Sequence, residues 1–142
     1  MADQSKTPII YEDLVDIRFS DLDHYNHVNS KHYIDFVSSA RLNFLAREMK
    51  VTIEQVTERG VGFYLTRTTV NYKKPIIGLQ KVRVKSHVSD VRAGLQIVVP
   101  FELKTEDDTK LFADGTMEYT MIDLKTKSLT SVPRWILDLF FK

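Results

Sequence analysis

The side chains best suited to chemistry are concentrated in one short polar segment, residues 21–30. Two carboxylates, Asp21 and Asp23, stand there with His24 and His27. A carboxylate can attack a carbonyl carbon directly, or it can activate a water molecule that does so. The segment therefore offers the base or the nucleophile of an acyl-transfer reaction.

This polar segment directly precedes the one long helical pattern of the chain. Apolar residues recur at steps of three and four over residues 30–49, with no Gly or Pro in between. Asn29 is a good N-cap type, because its side-chain oxygen can accept a hydrogen bond from a first-turn amide. A helix start presents unpaired N–H groups and roughly half a positive charge, which stabilises a developing oxyanion. Asp23 and this helix start together make a workable acyl-transfer site.

The rest of the chain has the patterns of an antiparallel sheet. A short turn or second helix is expected near residues 52–57, and strands are predicted at residues 11–19, 62–72, 81–91, 95–104 and 110–124. Val82, Val84, Ser86 and Val88 alternate with polar residues, which is typical of a strand with one wet face. One long helix is best covered by a sheet curled around it. The sequence therefore predicts an α+β domain with an antiparallel sheet wrapped around one central helix.

The length and the ends of the chain indicate a single folded unit. A chain of 142 residues with 43% apolar residues suits one domain with its own core. Residues 1–8 are polar and end at Pro8, so we expect a flexible lead there and the domain over residues 9–142. Residues 135–141 are too apolar to extend into water. They are expected to dock on the sheet or on another subunit.

Composition excludes several classes of function. Lys and Arg total 20 and Asp and Glu total 19, so the net charge of +1 gives no general attraction to nucleic acid or to an anionic membrane. The absence of cysteine excludes disulfides, thiolate nucleophiles and cysteine-ligated metal sites. The longest uncharged run, residues 93–101, is far shorter than the about 20 residues of a membrane-spanning helix. With no signal-peptide pattern at the start, a cytoplasmic location is expected.

Several motifs together resemble those of a known family. The first leads into the long helix, the second lies on that helix, and the last two mark a strand end and the C-terminal part of the chain: Asp21-x-Asp23-x-x-x-His27-Val28-Asn29-x-x-x-Tyr33, Ala40-Arg41, Val70-x-Tyr72-x-x-Pro75-x-x-Gly78 and Val132-Pro133. This set resembles the 4-hydroxybenzoyl-CoA thioesterase and acyl-CoA thioesterase family, which has the hotdog fold. The resemblance covers nearly the whole chain from about Tyr11.

The resemblance implies a reaction, a set of roles and an assembly. It implies hydrolysis of an acyl-CoA or related thioester, with no metal ion or cofactor. Asp23 is then the catalytic carboxylate, and the turn from Asn29 through Ser30 to Lys31 forms the oxyanion hole, in which the Ser30 amide polarises the thioester carbonyl. Hotdog relatives pair two sheets across a two-fold axis with active sites at the interface, so we expect an obligate homodimer or a dimer of dimers.

Three positions depart from the family pattern. Asn26 stands where relatives often have Gly, and Ser30 stands where they often have a second Asn. Asn tolerates a left-handed backbone, and a backbone donor does not depend on its own side chain. Ser38 stands on the helix where many relatives have Glu. This last departure keeps a second function open, a hotdog module that binds an acyl thioester or a protein partner without turnover.

Other roles remain open for the same polar residues. Asp21 and Asp23 are also suited to capping the loop or the helix. His24, His27 and His32 could ligate a divalent metal together with the aspartates. His27 is expected instead to hold the loop by hydrogen bonds beside the substrate.

Substrate contacts are expected from two further groups of residues. The coenzyme phosphates would need basic side chains, for which Lys73, Lys74 and Arg92 are the candidates, and ordinary solvated turn charges are the alternative. Aromatic side chains could line an acyl pocket, although single aromatic residues in strands are often plain core. The candidates of this kind are Tyr25, Phe63 and Tyr64.

Overall fold

A seven-stranded sheet dominates the computed structural model, which describes residues 6–142. Its strands are β1 (Tyr11–Asp16), β2 (Val61–Tyr72), β3 (Lys81–Ser86), β4 (Asp90–Arg92), β5 (Gln96–Thr105), β6 (Leu111–Asp123) and β7 (Ser128–Thr130). The helices are α1 (Tyr33–Arg47), α2 (Ile53–Glu58) and α3 (Arg134–Phe140), and short 3-10 turns occur at Phe19–Asp21 and Ser30–His32.

The strands pair antiparallel throughout, as the sequence predicts. The main order is β1-β3-β5-β6-β2, with β4 beside β5 and β7 beside β6. The predicted strand over residues 81–91 is interrupted after Ser86. Ser86 lies opposite Phe101 and Asp90 lies opposite Val98, so three residues of one strand face two of the other. Such a mismatch forces a bulge, and Pro100 at this point has no amide hydrogen to donate.

Helix α1 lies against the inner face of the sheet, and its apolar stripe explains why. The predicted helix over residues 30–49 is observed as a 3-10 turn followed by α1. Its buried residues recur at helical spacing: Tyr33, Phe36, Val37, Ala40, Phe44 and Leu45. On β3, Val82, Val84 and Ser86 are buried while the residues between them are not, which confirms the single wet face.

The two ends of the described chain pack together. In α3, Ile136, Leu139 and Phe140 are buried, and the Phe140 ring lies 6.2 Å from that of Phe44 on α1. The apolar C-terminal segment therefore docks in the core. Of the flexible lead expected over residues 1–8, residues 1–5 lie outside the described residues. Among residues 6–8, Thr7 exchanges two backbone hydrogen bonds with Lys142, at 2.6 and 2.8 Å.

Strand β2 is a long edge that, among the described residues, pairs only with β6. Tyr64, Leu65 and Tyr72 on this strand are 61%, 41% and 58% exposed. A long edge with exposed aromatic and aliphatic side chains is a template for pairing with another strand. Within residues 6–142, no helix has both the length and the apolar character that crossing a membrane requires.

Candidate active site

Residues 23–27 form a tight turn between β1 and α1. The Asp23 amide donates to the His27 carbonyl at 2.7 Å, and the Asn26 amide donates to the Asp23 carbonyl at 3.0 Å. Asn26 has a φ of +63°, the left-handed conformation that Asn tolerates better than most residues. The turn therefore keeps its shape with Asn in the position where relatives often have Gly.

The two oxygens of the Asp23 carboxylate have different surroundings. Oδ1 accepts hydrogen bonds from the amides of Tyr25 and His27, at 2.9 and 3.1 Å. Oδ2 has no hydrogen-bond partner within residues 6–142. The amides of His27 and Tyr25 lower the pKa of Asp23 below its ordinary value, so the carboxylate is ionised at neutral pH. One oxygen thus caps the turn, while the other remains available as a base or nucleophile.

The start of the helix supplies one unpaired donor. The Asn29 side chain accepts from the Lys31 amide at 3.1 Å, which confirms Asn29 as an N-cap, and the Asn29 amide donates to the Asp21 carbonyl at 2.9 Å. The Ser30 amide between them donates to no acceptor in the described part of the chain. An unpaired first-turn amide is the donor that a carbonyl or oxyanion can use.

Asp21 has a different environment from Asp23. Its side chain is fully buried, and it accepts from the Arg18 amide at 2.8 Å and from Arg18 Nη2 at 2.9 Å. Burial raises the pKa of Asp21, but the hydrogen bonds and charge of Arg18 and the charge of His32 lower it further, so it lies below its ordinary value. Asp21 therefore fixes the approach to the helix rather than reaching a substrate.

Replacing Asp21 by Asn should lower the free energy of unfolding by about 2 kcal/mol, because charge-assisted hydrogen bonds are lost and the new amide hydrogens are buried. Urea denaturation measures this change. Asp16→Asn is the matched control, since Asp16 is 76% exposed in its ion pair with Lys81 and should change stability little. Equal effects of the two substitutions would contradict the structural role of Asp21.

The lowered pKa of Asp21 also fixes the sign of a pH dependence. Because the folded-state pKa lies below the ordinary value of 3.8, the stabilisation by ionised Asp21 is complete above that value. It should be lost as the pH falls through the lower, folded-state pKa. The stability difference between the wild type and Asp21→Asn should therefore shrink in acid, as denaturation at a series of pH values would show.

A second segment forms the wall beside the Asp23 turn. The Val28 amide donates to the Ile76 carbonyl, and the Gly78 amide donates to the Asn26 carbonyl, both at 2.8 Å. These bonds place the exposed side chain of Ile77 beside the turn. Sequence reasoning did not assign Ile77 to the site, although the Pro75-x-x-Gly78 landmark marked its segment.

Two tyrosines adjoin this wall and were also not assigned to the site. The buried ring of Tyr33 lies 5.4 Å from the exposed ring of Tyr72 at the end of β2. Burial raises the pKa of Tyr33, so its hydroxyl stays protonated. Both tyrosines belong to the sequence motifs that resemble the family. Those motifs were the signal that could have assigned them to the site.

Four of the predicted substrate-binding residues lie on or near this wall and turn. Tyr25 is 71% exposed at the tip of the turn, with its ring 4.1 Å from that of His24. His27 holds the turn through its backbone, as its amide and carbonyl both bond to Asp23. Lys73 and Lys74 are exposed directly after β2, where both amides donate to the Phe112 carbonyl.

The other three predicted residues are not brought to Asp23 within one chain. Phe63 and Tyr64 lie at the opposite end of β2 from Tyr72. Phe63 is nine residues from Tyr72, which corresponds to about 30 Å along an extended strand. Arg92 lies on β4, where its Nη1 donates to the buried Glu118 carboxylate at 3.0 Å. The single chain therefore brings together the residues predicted to be catalytic, Asp23, Asn29 and Ser30, but separates them from these candidates.

The histidines do not assemble a metal site in the described residues. No group of three or more His, Asp or Glu side chains there is arranged to hold an ion. His32 Nδ1 lies 3.7 Å from the carboxylates of both Asp21 and Asp35.

The chain matches known proteins over most of its length. The family model described as Thioesterase-like superfamily matches residues 17–140. The long-chain acyl-CoA thioesterase FadM of Escherichia coli is 25% identical over 113 residues, which are 80% of this chain and 83% of that protein.

Solved structures share the fold at lower identity. A DHNA-CoA thioesterase from Staphylococcus aureus superimposes with a TM-score of 0.78 at 23% identity, covering 91% of this chain and 85% of that one. The S. aureus protein SAV2348, solved in complex with CoA, gives 0.80 at 14% identity, covering 93% and 82%. A 1,4-dihydroxy-2-naphthoyl-CoA thioesterase from Synechocystis gives 0.80 at 15% identity, covering 92% and 97%. The α+β prediction and the hotdog fold are confirmed.

Proposed function

Because the chain belongs to the thioesterase-like superfamily, we propose that it hydrolyses acyl-CoA thioesters to a free acid and a thiol, with Asp23 as the catalytic carboxylate. One observation carries this proposal. An ionised carboxylate with a free oxygen and an unpaired helix-start amide, that of Ser30, occur within eight consecutive residues. Those are the two groups that acyl transfer needs.

The proposed chemistry assigns each group one task. The Ser30 amide donates to the thioester carbonyl oxygen and stabilises the negative charge that develops there. Asp23 Oδ2 either attacks the carbonyl carbon or takes a proton from the water that does. The carbon–sulfur bond then breaks, and the thiolate acquires a proton. In the first route one water molecule then hydrolyses the acyl-Asp23 anhydride and releases the proton that balances the one taken up by the thiolate, so both routes give the same products.

Relatives support coenzyme A as the carrier and leave the acyl group open. FadM is named for long-chain acyl-CoA, and two of the structural relatives are named for a dihydroxynaphthoyl-CoA substrate. These acyl groups differ greatly in shape. Lys73 and Lys74, which follow β2 into the wall beside the Asp23 turn, are the proposed contacts of the coenzyme phosphates. Arg92 is a weaker candidate, because Glu118 already pairs with it.

We also propose that two copies pair through the free edge of β2. Two identical strands related by a two-fold axis run antiparallel, so the start of each β2 lies beside the end of the other. That pairing sets Phe63 and Tyr64 of one copy near Tyr72 and Asp23 of its partner. Phe63 and Tyr64, which lie far from Asp23 within one chain, would thus lie beside the Asp23 of the other copy.

Leu65→Glu should weaken this dimer, because it places two negative charges, one from each copy, on the paired β2 strands, where they repel each other. Leu95→Glu is the matched control, since Leu95 is equally exposed, at 40% against 41%, but lies outside β2. Sedimentation velocity at micromolar concentration should show a dimer or a dimer of dimers for the wild type and for Leu95→Glu. A wild type that is a folded monomer would contradict the interface and the site shared across it.

The proposed activity is tested by thiol release from short, long and aromatic acyl-CoAs. The protein has no cysteine to react with the thiol reagent. Turnover of at least one acyl-CoA supports the enzyme. Tight binding of acyl-CoA with no release would favour the alternative, a hotdog module that holds an acyl thioester without hydrolysing it.

A further inference from the structure

A cleft between α2 and α3 lies apart from the Asp23 turn and its wall. Arg59, which directly follows α2, stacks on the indole of Trp135 in α3, with its Cζ atom 3.9 Å from the ring centroid. The cleft holds about 270 Å³ of space, which is close to the size of small-molecule sites. Its walls combine two cations, a polar amide, an aromatic ring and two aliphatic side chains: Lys50, Arg59, Gln55, Trp135, Val51 and Leu139.

The charges of this cleft suit an anion. Arg59 is exposed, and within residues 6–142 its guanidinium stacks on the Trp135 ring and forms no ion pair. Lys50 is also exposed, and its ammonium donates one hydrogen bond, to the Arg47 carbonyl at 2.7 Å. Two of the three Lys50 donors are therefore left for a ligand. No carboxylate of the described residues lines the cleft, so its local charge is positive.

The stacked pair of Arg59 and Trp135 also provides a flat platform. Trp135 is partly buried and packs against the core, so its indole is a fixed support for the guanidinium. Nucleobases stack on aromatic rings and on guanidinium planes, and the N–H groups at the edge of a guanidinium bind phosphate oxygens. This arrangement therefore suits a ligand that carries both a nucleobase and phosphate groups.

Within one chain the cleft is remote from the lysines proposed to bind the coenzyme phosphates. Arg59 precedes β2 and Lys73 follows it, which separates them by about 46 Å along an extended strand. The proposed dimer removes this separation, because two β2 strands related by a two-fold axis run antiparallel. Pairing over all of Val61–Tyr72 sets the first residue of one strand opposite the last residue of the other. Arg59 of one copy then lies beside the partner's Lys74, at the end of β2 that adjoins the partner's Asp23.

We propose that this cleft binds the phosphorylated adenosine of an acyl-CoA whose thioester lies at the Asp23 of the other copy. The inference rests on the proposed thioesterase function for its ligand and on the proposed β2 interface for its position. Adenine stacks on Arg59, and the phosphates contact the cations of the cleft together with Lys73 and Lys74 of the other copy. Coenzyme A carries its aromatic ring and all of its phosphate at the end remote from the sulfur, which matches the chemistry of the cleft.

The first test compares one acyl group as its CoA thioester and as its pantetheine thioester, which lacks the nucleotide. Arg59→Met should raise KM for acyl-CoA by a factor on the order of ten with kcat unchanged, because charge-assisted hydrogen bonds and a stacking contact are lost. Its kinetics with acyl-pantetheine and its melting temperature should equal those of the wild type. Arg47→Met is the matched control, because Arg47 is an exposed arginine that pairs with Asp13 outside the cleft, and KM should not change for either substrate.

A mixed dimer tests whether Asp23 and the cleft come from different copies. Chains with Asp23→Asn and with Arg59→Met are co-expressed with different affinity tags, and the dimer that carries both tags is purified. In the proposed arrangement one of its two sites has both wild-type residues, so it should hydrolyse acyl-CoA at about half the wild-type kcat with the wild-type KM. If one chain supplied both residues, every site would carry a substitution. The raised KM of Arg59→Met would then persist, and the inference would be overturned.

Two further results would overturn the inference. One is a wild type with the same KM for acyl-CoA and for acyl-pantetheine, because the nucleotide would then contribute nothing to binding. The other is an Arg59→Met variant whose KM rises equally for both thioesters, which would assign the cleft to the acyl group or to the stability of the fold.

Failure of the thioesterase function itself would be recognised separately. If no acyl-CoA is hydrolysed, isothermal titration calorimetry measures the binding of coenzyme A and of pantetheine to the intact protein. Tighter binding of coenzyme A that is lost in Arg59→Met and kept in Arg47→Met supports the cleft assignment while the proposed function fails. Equal affinity for the two compounds, or coenzyme A binding that Arg59→Met does not weaken, overturns the cleft assignment.

Discussion

Asp23→Asn should lower the rate of acyl-CoA hydrolysis by a factor on the order of 10² to 10⁴ while the protein stays folded. The amide cannot act as a base at neutral pH and is a poor nucleophile. Its carbonyl oxygen can still accept from the Tyr25 and His27 amides, so the turn keeps its cap. The substitution thus separates the proposed catalytic role of Asp23 from its capping role, and kcat/KM with one acyl-CoA measures the difference.

Asp21→Asn is the control, because Asp21 is fully buried and should affect stability more than chemistry. Wild-type activity in a folded Asp23→Asn variant would make Asp23 only a cap. The acid limb of the wild-type rate gives an independent check. In the proposed mechanism the ionised form of Asp23 is the active one, and the pKa of Asp23 is lowered. Activity should therefore persist to below pH 3.8 wherever the fold survives, and decline only as the carboxylate becomes protonated.

Gly115→Ala should lower the free energy of unfolding by about 3 kcal/mol, the largest stability effect expected here. Gly115 lies in β6 between Val70 of β2 and Phe101 of β5. A Cβ atom at this position would overlap the Thr69 carbonyl oxygen and lie 2.8 Å from the Phe101 ring. A backbone carbonyl cannot move aside without breaking the pairing of β2, which carries Tyr72 to the site.

Gly62→Ala is the matched control, a strand glycine whose added Cβ meets only the flexible Leu124 side chain, at 3.3 Å. It should change stability by less than about 1 kcal/mol. Chemical denaturation of both variants measures the comparison. If Gly115→Ala unfolds at the wild-type midpoint, the close approach of β6 and β2 is not present in solution.

Local patterns made most of the fold predictable. Two local patterns indicate a buried face directly. One is the helical spacing of Tyr33, Phe36 and Phe44, and the other is the alternation from Val82 to Val88. The break after Ser86 was not predictable from the local pattern, because it depends on Pro100 in the partner strand β5. The strand order could not be predicted from local patterns either, because β2 pairs with β6 rather than with its neighbour in the chain.

The candidate site shows the same division. Asp23, the Asn29 cap and the left-handed Asn26 follow from residue types close together in the chain. Two other features depend on contacts between residues far apart in the chain, and local patterns do not predict them. They are the separation of Phe63 from Asp23 and the ion pair of Arg92 with Glu118.

The most direct test of the central claim is the identity and amount of the products formed from one acyl-CoA present in large excess over the protein. Mass spectrometry of the reaction should detect free acid and free coenzyme A in equal amounts, many times the amount of protein. Asp23→Asn run in parallel should form both products on the order of 10² to 10⁴ times more slowly. The proposed hydrolysis would be contradicted if, for every acyl-CoA that the protein binds, the product amounts did not exceed those of a protein-free blank.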